Sequence, residues 1–415
     1  MKNTNAPAFR FIPFRVADII EMCLKEKTLP DDQKNFRPFF ILLTHVFHYE
    51  FKNTMDSLKD AYSAMDPDTD TRIAFPSGKD STGKFVALLK NTLEKANYEA
   101  ITEEELNQAM TKASLFDLRL HVDFDEFSEV LLFCRGQSLQ QQAISRWFGL
   151  SSKTVEFINY DRVVVYIRLK ASPATERADK APARAGASML KLFQNVPKAD
   201  LEMLFPNTQL RMRVRDKLLI GVPALVSGGI VLTTKVGATL LLMASMLGFW
   251  FGLRQQPVEL NVANLTILFG GLGALGAYIW KQFSNFKNRK LRFMQQLTQN
   301  LYFKNLDNNA GVIYRLLNDA EEEECKEAIL AYYFLLTSKV PLDRQQLDYK
   351  IEQWLAEKWQ CRIDFEIDDA LEKLVRLGLV EQRINEYLAL PLEQAIQQLD
   401  KRWDDFFDFT PAVSR

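Results

Sequence analysis

Histidine, cysteine and net charge are all scarce in this sequence. Only three His occur in 415 residues, and none stands beside a Ser or Cys in a way that suggests a base–nucleophile pair. His45 and His48 are three apart on a helical stretch, but no third metal ligand converges on them. Four Cys (Cys23, Cys134, Cys325, Cys361) lie far apart with no CxxC pair. That leaves no zinc or redox motif, and buried free thiols in a reducing compartment are expected. The formal charge is -1, so nothing draws the chain to nucleic acid in general. The phosphate-loop, nucleophile-elbow and zinc-protease motifs are missing. "DPDTDTR" places Asp66, Asp68 and Asp70 as in a calcium loop, yet Thr71 and Ser77 occupy the positions that need Gly and Glu. The sequence therefore nominates no catalytic, cofactor-binding or metal residue, and no cofactor. Whether the protein is an enzyme stays open.

The N-terminus has no uninterrupted apolar stretch of the secretory kind, because Arg10, Arg15 and Asp18 break it up. An amphipathic helix is expected from about Arg15 to Lys25.

Long apolar runs are present, but only in the middle of the chain. Leu218 to Leu253 carries one charge, Lys235, and Val262 to Trp280 follows after a polar break. A helix needs about 20 apolar residues to cross a bilayer. Residues 236–253 and 262–280 are read as spans, and 218–234, with Pro223 and Gly228–Gly229, as re-entrant or part of the first span. Four basic residues precede the run in Arg211 to Lys217 and five follow it in Lys281 to Arg292. Basic flanks stay on the cytoplasmic side, which makes the number of crossings even. The chain is thus expected to be a multi-pass protein of the bacterial inner (cytoplasmic) membrane, with both soluble regions cytoplasmic. Ala244, Gly248 and Gly252 on the first span and Gly270 and Gly273 on the second are candidate helix-packing positions, within a hairpin or between copies.

The fold expected is an α-helical membrane protein with two transmembrane helices, a mainly helical N-terminal region, a small β-sheet near the membrane and a C-terminal winged-helix-like domain. Residues 1–150 form the helical cytoplasmic domain. Phe40, Leu43, Phe47, Phe51, Met55, Leu58 and Tyr62 recur at three and four as one helical stripe. Thr102 and Glu105 have capping-box spacing, and "DFDEFSEVLLFCRG" reads as a helix ended by Gly136. Residues 151–217 form the small sheet, from Thr154–Lys170, "MLKLFQNVP" and "TQLRMRVRD", with a flexible linker at 171–188. Residues 218–280 are the membrane region and 281–325 an amphipathic exit helix and connector. In "EEEECKEAILAYYFLLTSK" the acids fall at a helix start, where the dipole favours them. Helix, helix, helix and hairpin over 326–391 give the winged-helix order, and 392–415 is a tail. Asp368, Asp369 and Glu372 on its third helix argue against duplex binding.

Around the first basic flank, "LFQNVPKADLEMLFPNTQLRMRVRDKLLIGVPAL" with Pro197, Asp200, Glu202, Leu204, Pro206 and Asp216 resembles the signature of the DUF3754 family of uncharacterised membrane proteins, related to the transmembrane protein 143 group. "FHYEFKNTMDSLKDAYSAMDPDTD", "FCRG" and "AILAYYFLL…DFEIDDALEKLVRLGLV" resemble further blocks of it. The resemblance implies two membrane helices and no known activity. Asp200, Glu202, Arg211, Arg213, Arg215, Asp216 and Lys217 are the candidate lipid-surface or interaction residues. The function expected is that of a membrane-anchored interaction or regulatory protein. Its partners would be anionic lipids and a second copy or another protein, and not nucleic acid. An oligomeric channel or transport accessory is the second reading, and an unrecognised hydrolase the third.

Overall fold

A computed structural model describes residues 9–26, 33–68, 72, 74, 81–106, 119–146, 151–170, 188–211, 237–253 and 261–406. The first elements are α1 (Val16–Lys25), α2 (Gln33–Ser63), α3 (Ser81–Lys95), β1 (Glu99–Ala100) and β2 (Arg119–His121). Strands β3 (Phe127–Arg146), β4 (Ser151–Leu169), β5 (Ser188–Pro197) and β6 (Gln209–Arg211) follow. The apolar run supplies α4 (Gly237–Trp250) and α5 (Val262–Lys304). The chain ends with β7 (Asn305–Asn308), α6 (Ala310–Ser338), β8 (Leu342–Asp343), α7 (Arg344–Trp359), α8 (Ile367–Arg376), β9 (Val380–Arg383), β10 (Glu386–Ala389) and α9 (Leu392–Asp405).

These elements form two compact units. One comprises Met1–Lys112, Asp123–Leu201 and Lys304–Arg415; the other comprises Ala113–Val122 and Glu202–Phe303. The first unit is mixed α/β, with a five-stranded antiparallel sheet in the order β1-β3-β4-β5-β7. The centre of β4, Val163 to Ile167, is at most 1% exposed. A β-branched run buried on both faces suits a covered strand better than an alternating one does. On one face Phe133, Val164, Tyr166, Leu190 and Leu192 pack with Phe85, Leu89 and Leu93 of α3 and with Val312, Ile313 and Leu316 of α6.

A second core joins the two ends of the chain. Ile19 and Met22 of α1 and Phe36, Phe39, Phe40, Leu43 and Phe47 of α2 pack with Tyr332 of α6, Ile351 of α7, Leu374 of α8 and Leu399 of α9. Phe39 stacks on Tyr332 with ring centroids 4.4 Å apart. The α2 stripe expected from the sequence is buried except at half-buried Met55. Its N-terminal half enters this core and its C-terminal half the sheet core. α6 does the same in reverse order, so the two long helices run antiparallel.

Several expectations are corrected. The chain is not an α-helical protein with two membrane spans: its first unit holds a five-stranded sheet. Among the described residues one helix, Val262–Lys281, is long and apolar enough to cross a membrane. Among the described residues the other apolar run shows the 14-residue α4. At 1.5 Å per residue that is about 21 Å, short of a hydrocarbon core of about 30 Å. The N-terminal 150 residues carry α1, α2 and α3, but they also hold a long strand that was not expected, β3 at residues 127–146. Gly136 caps no helix; it sits inside β3 with φ +73°. There a Cβ would lie 2.3 Å from the Asp161 carboxylate on β4. The described part of "TQLRMRVRD" does not pair with β4. It is β6, which pairs with β2 in the second unit, Leu210 opposite Leu120. "MLKLFQNVP" does pair with β4, Val164 opposite Leu192. The C-terminal helices and the three-stranded sheet β8-β10-β9 share the core of α1 and α2 rather than standing apart. The expected tail contains α9, docked through Leu392, Ala395 and Leu399.

Candidate functional site

Between the two cores of the first unit, α6 carries its acidic run across the interior. The acids are not at a helix start: α6 begins at Ala310, so Glu323, Glu324 and Glu327 lie in its middle. With Lys326 they are no more than 3% exposed. Isolated buried carboxylates are costly, so each needs a partner.

The partners come from distant segments. The N-terminal strap, Phe9 to Ile12, crosses this helix. Ile12 donates its backbone N–H to Glu323 Oε2 at 3.0 Å, and Lys326 Nζ donates to the Ile12 carbonyl at 2.8 Å. Lys326 also bonds Glu323 Oε1 at 2.7 Å. The strap is pinned further by Phe9 N–H to the Arg362 carbonyl and Asp364 N–H to the Phe9 carbonyl.

Arg135, from the "FCRG" block on β3, enters from the sheet. Its guanidinium lies 3.0 Å from Asp319 and 4.0 Å from Glu323, and donates to the Ala96 carbonyl at 3.2 Å. It is sandwiched between the rings of Phe11 and Tyr98, 5.0 and 4.9 Å from their centroids. A planar delocalised cation suits such stacking. Gly136 lets β3 approach Asp161 immediately beyond.

From α8, Lys373 reaches Glu327 at 3.3 Å and Glu324 at 3.5 Å, while Lys95 of α3 reaches Glu324 at 3.0 Å. Asn97 Nδ2 donates to Glu327 Oε1 at 3.0 Å. Burial pushes the Glu327 carboxyl up from 4.5 to about 7, against the pull of Lys373. Burial also works against the Lys373 charge, but Glu327, Glu324 and Asp369 together hold its ammonium above the ordinary lysine value.

Above this belt opens a cavity of about 670 Å³. Its walls come from the strap, α2, the end of α3, α6 and α8. Glu50, Glu94, Glu324, Glu366, Asp369 and Glu372 supply carboxylates, and Arg10, Lys95, Lys373 and Arg376 supply cations. Arg376 makes a bidentate pair with Glu50, both bonds at 2.8 Å, and Arg402 adds a third at 3.1 Å. Arg10 bonds Glu366. The volume lies within the range of small-molecule sites.

The sequence did not nominate these residues. A run such as EEEECKE reads as a solvated face, and its partners lie far away in the chain. The residues it did nominate are placed elsewhere. Asp200 and Glu202 are buried, 3% and 7% exposed. Arg211 ends β6; Arg213, Arg215, Asp216 and Lys217 lie outside the described residues, as does the expected re-entrant stretch at 218–234. Of the helix-packing candidates, a Cβ added at Gly248, Gly252, Gly270 or Gly273 would meet no other described residue within 4 Å. Ala244 lies inside α4. The close approach is at Gly271, where a Cβ would lie 1.8 Å from Thr239 Oγ1, and Thr239 donates to the Ile267 carbonyl at 2.8 Å. Gly271, Gly273 and Gly276 have dinucleotide-fingerprint spacing but lie inside α5, with no preceding strand to form a phosphate loop. His48 pairs with Glu321 at 3.0 Å, and Asp66 caps its own turn through Asp68 N–H. All four thiols are free and buried.

No solved structure matches the chain. The central region, residues 160–311, matches the model of a family described as Protein of unknown function (DUF3754); the match begins within β4, takes in β5 and the apolar helices, and stops before the acidic run of α6.

Proposed function

We propose that the chain is a membrane-anchored interaction or regulatory protein, with α5 as its anchor. The observation that carries this reading is the exposure of apolar side chains on Val262–Lys281, a helix of mean hydropathy 1.6 of which 6% is buried. Val262, Phe269 and Trp280 are each more than two-thirds exposed, as are Trp250 and Leu253 beside α4. A surface of that kind calls for a lipid or protein covering. Both ends of the chain build the first unit, so this reading places both on one side, with α5 inserted as an anchor that does not by itself carry the chain across. The basic residues flanking the apolar run in sequence favour the cytoplasmic side of a bacterial inner membrane and contacts with anionic headgroups. The folded unit would then be the part that meets partners.

Alkaline carbonate extraction of membranes from expressing cells tests the anchor. The chain is expected to stay with the membrane pellet, and full release into the supernatant would overturn the proposal. Mild-detergent purification tests the second part, with a defined protein partner or a second copy expected to co-elute.

A further inference from the structure

We propose that a second copy of this chain docks on the outer edge of β3, strand to strand. β3 and β4 outrun the rest of their sheet. β1 reaches β3 at Phe133 and Cys134, and β5 leaves β4 at Asn159, opposite Pro197. From Leu139 opposite Ile158 to Arg146 opposite Ser151, the two strands pair with each other and with no other described strand. Those eight register pairs make an arm of about 27 Å, at about 3.4 Å per residue. None of its described side chains enters either core, and the cross-strand pair Leu139 and Ile158 is 56% and 38% exposed. A two-stranded ribbon alone is marginal in water, whereas three or more strands with an apolar face are not.

The two edges of the arm differ. On β4, Lys153 and Glu156 supply the charges that ordinarily guard a free strand edge. On β3, residues 137–145 read QSLQQQAIS, with no charge and no proline. An unguarded edge of that length is a template for another strand. The same stretch fits a copy of itself. An antiparallel pairing about a two-fold axis at Gln141 sets Gln140 opposite Gln142, Leu139 opposite Ala143 and Gln137 opposite Ser145 of the second copy. Arg135 and Arg146 fall outside the uncharged stretch. Like charges directly opposite one another destabilise a ladder, and this register has none. A two-fold contact closes on itself, so it gives a dimer and not a filament. The two arms then form one ribbon of four strands, in the order β4-β3-β3-β4.

This names the partner of the folded unit in the reading above without depending on the anchor: a membrane-bound monomer would overturn it and leave the anchor standing. Light scattering on the full chain in mild detergent, over a dilution series, measures the mass of the protein component. A dimer is expected. Leu139→Lys combined with Gln141→Lys should raise its dissociation constant about tenfold, because both lysines lie on the pairing edge. Leu139 and Gln141 are exposed, and a lysine at 141 still stands opposite Glu156 within the arm, so the fold should hold. Thr154→Lys puts the same charge on the β4 edge and should leave the dimer unchanged. Cross-linking gives a second readout that does not need the lysine variants to fold. Oxidation of Gln141→Cys should link two chains, more strongly than Leu139→Cys or Ala143→Cys, while wild type, whose four thiols are buried, should stay unlinked. A monomer at every concentration, a dimer indifferent to the two lysines, or no link at any of the three cysteine positions would each overturn the proposal.

Discussion

At the scale of single residues, Arg135 bridges segments that are far apart in the chain. It neutralises Asp319 and sits 4.0 Å from Glu323 on α6, while Phe11 of the strap and Tyr98 after α3 cover its faces. Replacing it by alanine leaves buried carboxylates without their cation, at a cost of about 3–5 kcal/mol. Arg135→Lys keeps a charge but loses the planar stacking, so it should lie between wild type and Arg135→Ala in a urea melt. Equal stability of all three would remove Arg135 from this role. Gly136→Ala should cost about 2 kcal/mol from its left-handed backbone alone, and more from the clash with Asp161.

Glu327 makes a separate prediction in pH. Its carboxyl is pushed from 4.5 to about 7 by burial. Between those values the folded chain holds a proton that the unfolded chain has released. Stability from this group is therefore greatest at low pH, falls as pH rises through that window, and is lost above it. Glu327→Gln keeps an acceptor for Asn97 and cannot titrate. The stability difference between wild type and variant should fall by about 2–3 kcal/mol from about pH 5 to about pH 8. Parallel curves would contradict the assignment.

At the scale of elements, the fold is two apolar cores separated by one charged layer, and the two kinds of layer differ in how far the sequence reveals them. The α2 stripe is legible because its period of three and four reports burial directly. β4 and β5 are legible through their β-branched runs. β3 is not: Phe127, Val130, Leu131 and Cys134 fall at helical spacing, and its partner β4, which pairs along its whole length, lies outside any local window. The charged layer is illegible for another reason. Period analysis assumes that charge faces water, whereas Glu323 and Glu324 face Arg135, Lys95 and Lys373, supplied by β3, α3 and α8. No local window contains that pairing. Hydropathy misleads in the apolar run by the same locality, because it scores composition without showing where a helix begins. Within the second unit α4 and α5 meet where Thr239 faces Gly271. Gly271→Leu should force them apart, whereas Gly270→Leu, at an open position, should not. Oxidative cross-linking between a Cys at Thr239 and one at Ile267 reads the difference: the link should disappear with the first change only.

At the scale of the whole molecule, both ends of the chain fold as one body. Cys23 of α1 and Cys361 after α7 are buried in the same core. Thiol labelling through a urea titration should expose both in one transition with a shared midpoint. Separate midpoints would mean separate domains. Were α5 to anchor the chain as proposed, co-folding would keep both soluble parts on one side, because a body built from residues before and after α5 cannot be divided by a bilayer. The most direct measurement places one protease site between residues 170 and 188 and another after residue 406, in the full chain in sealed membrane vesicles of known orientation. Both sites should be cleaved in one orientation and both protected in the other. Cleavage of one with protection of the other in the same sealed vesicles would contradict folding as one body on one side of the membrane.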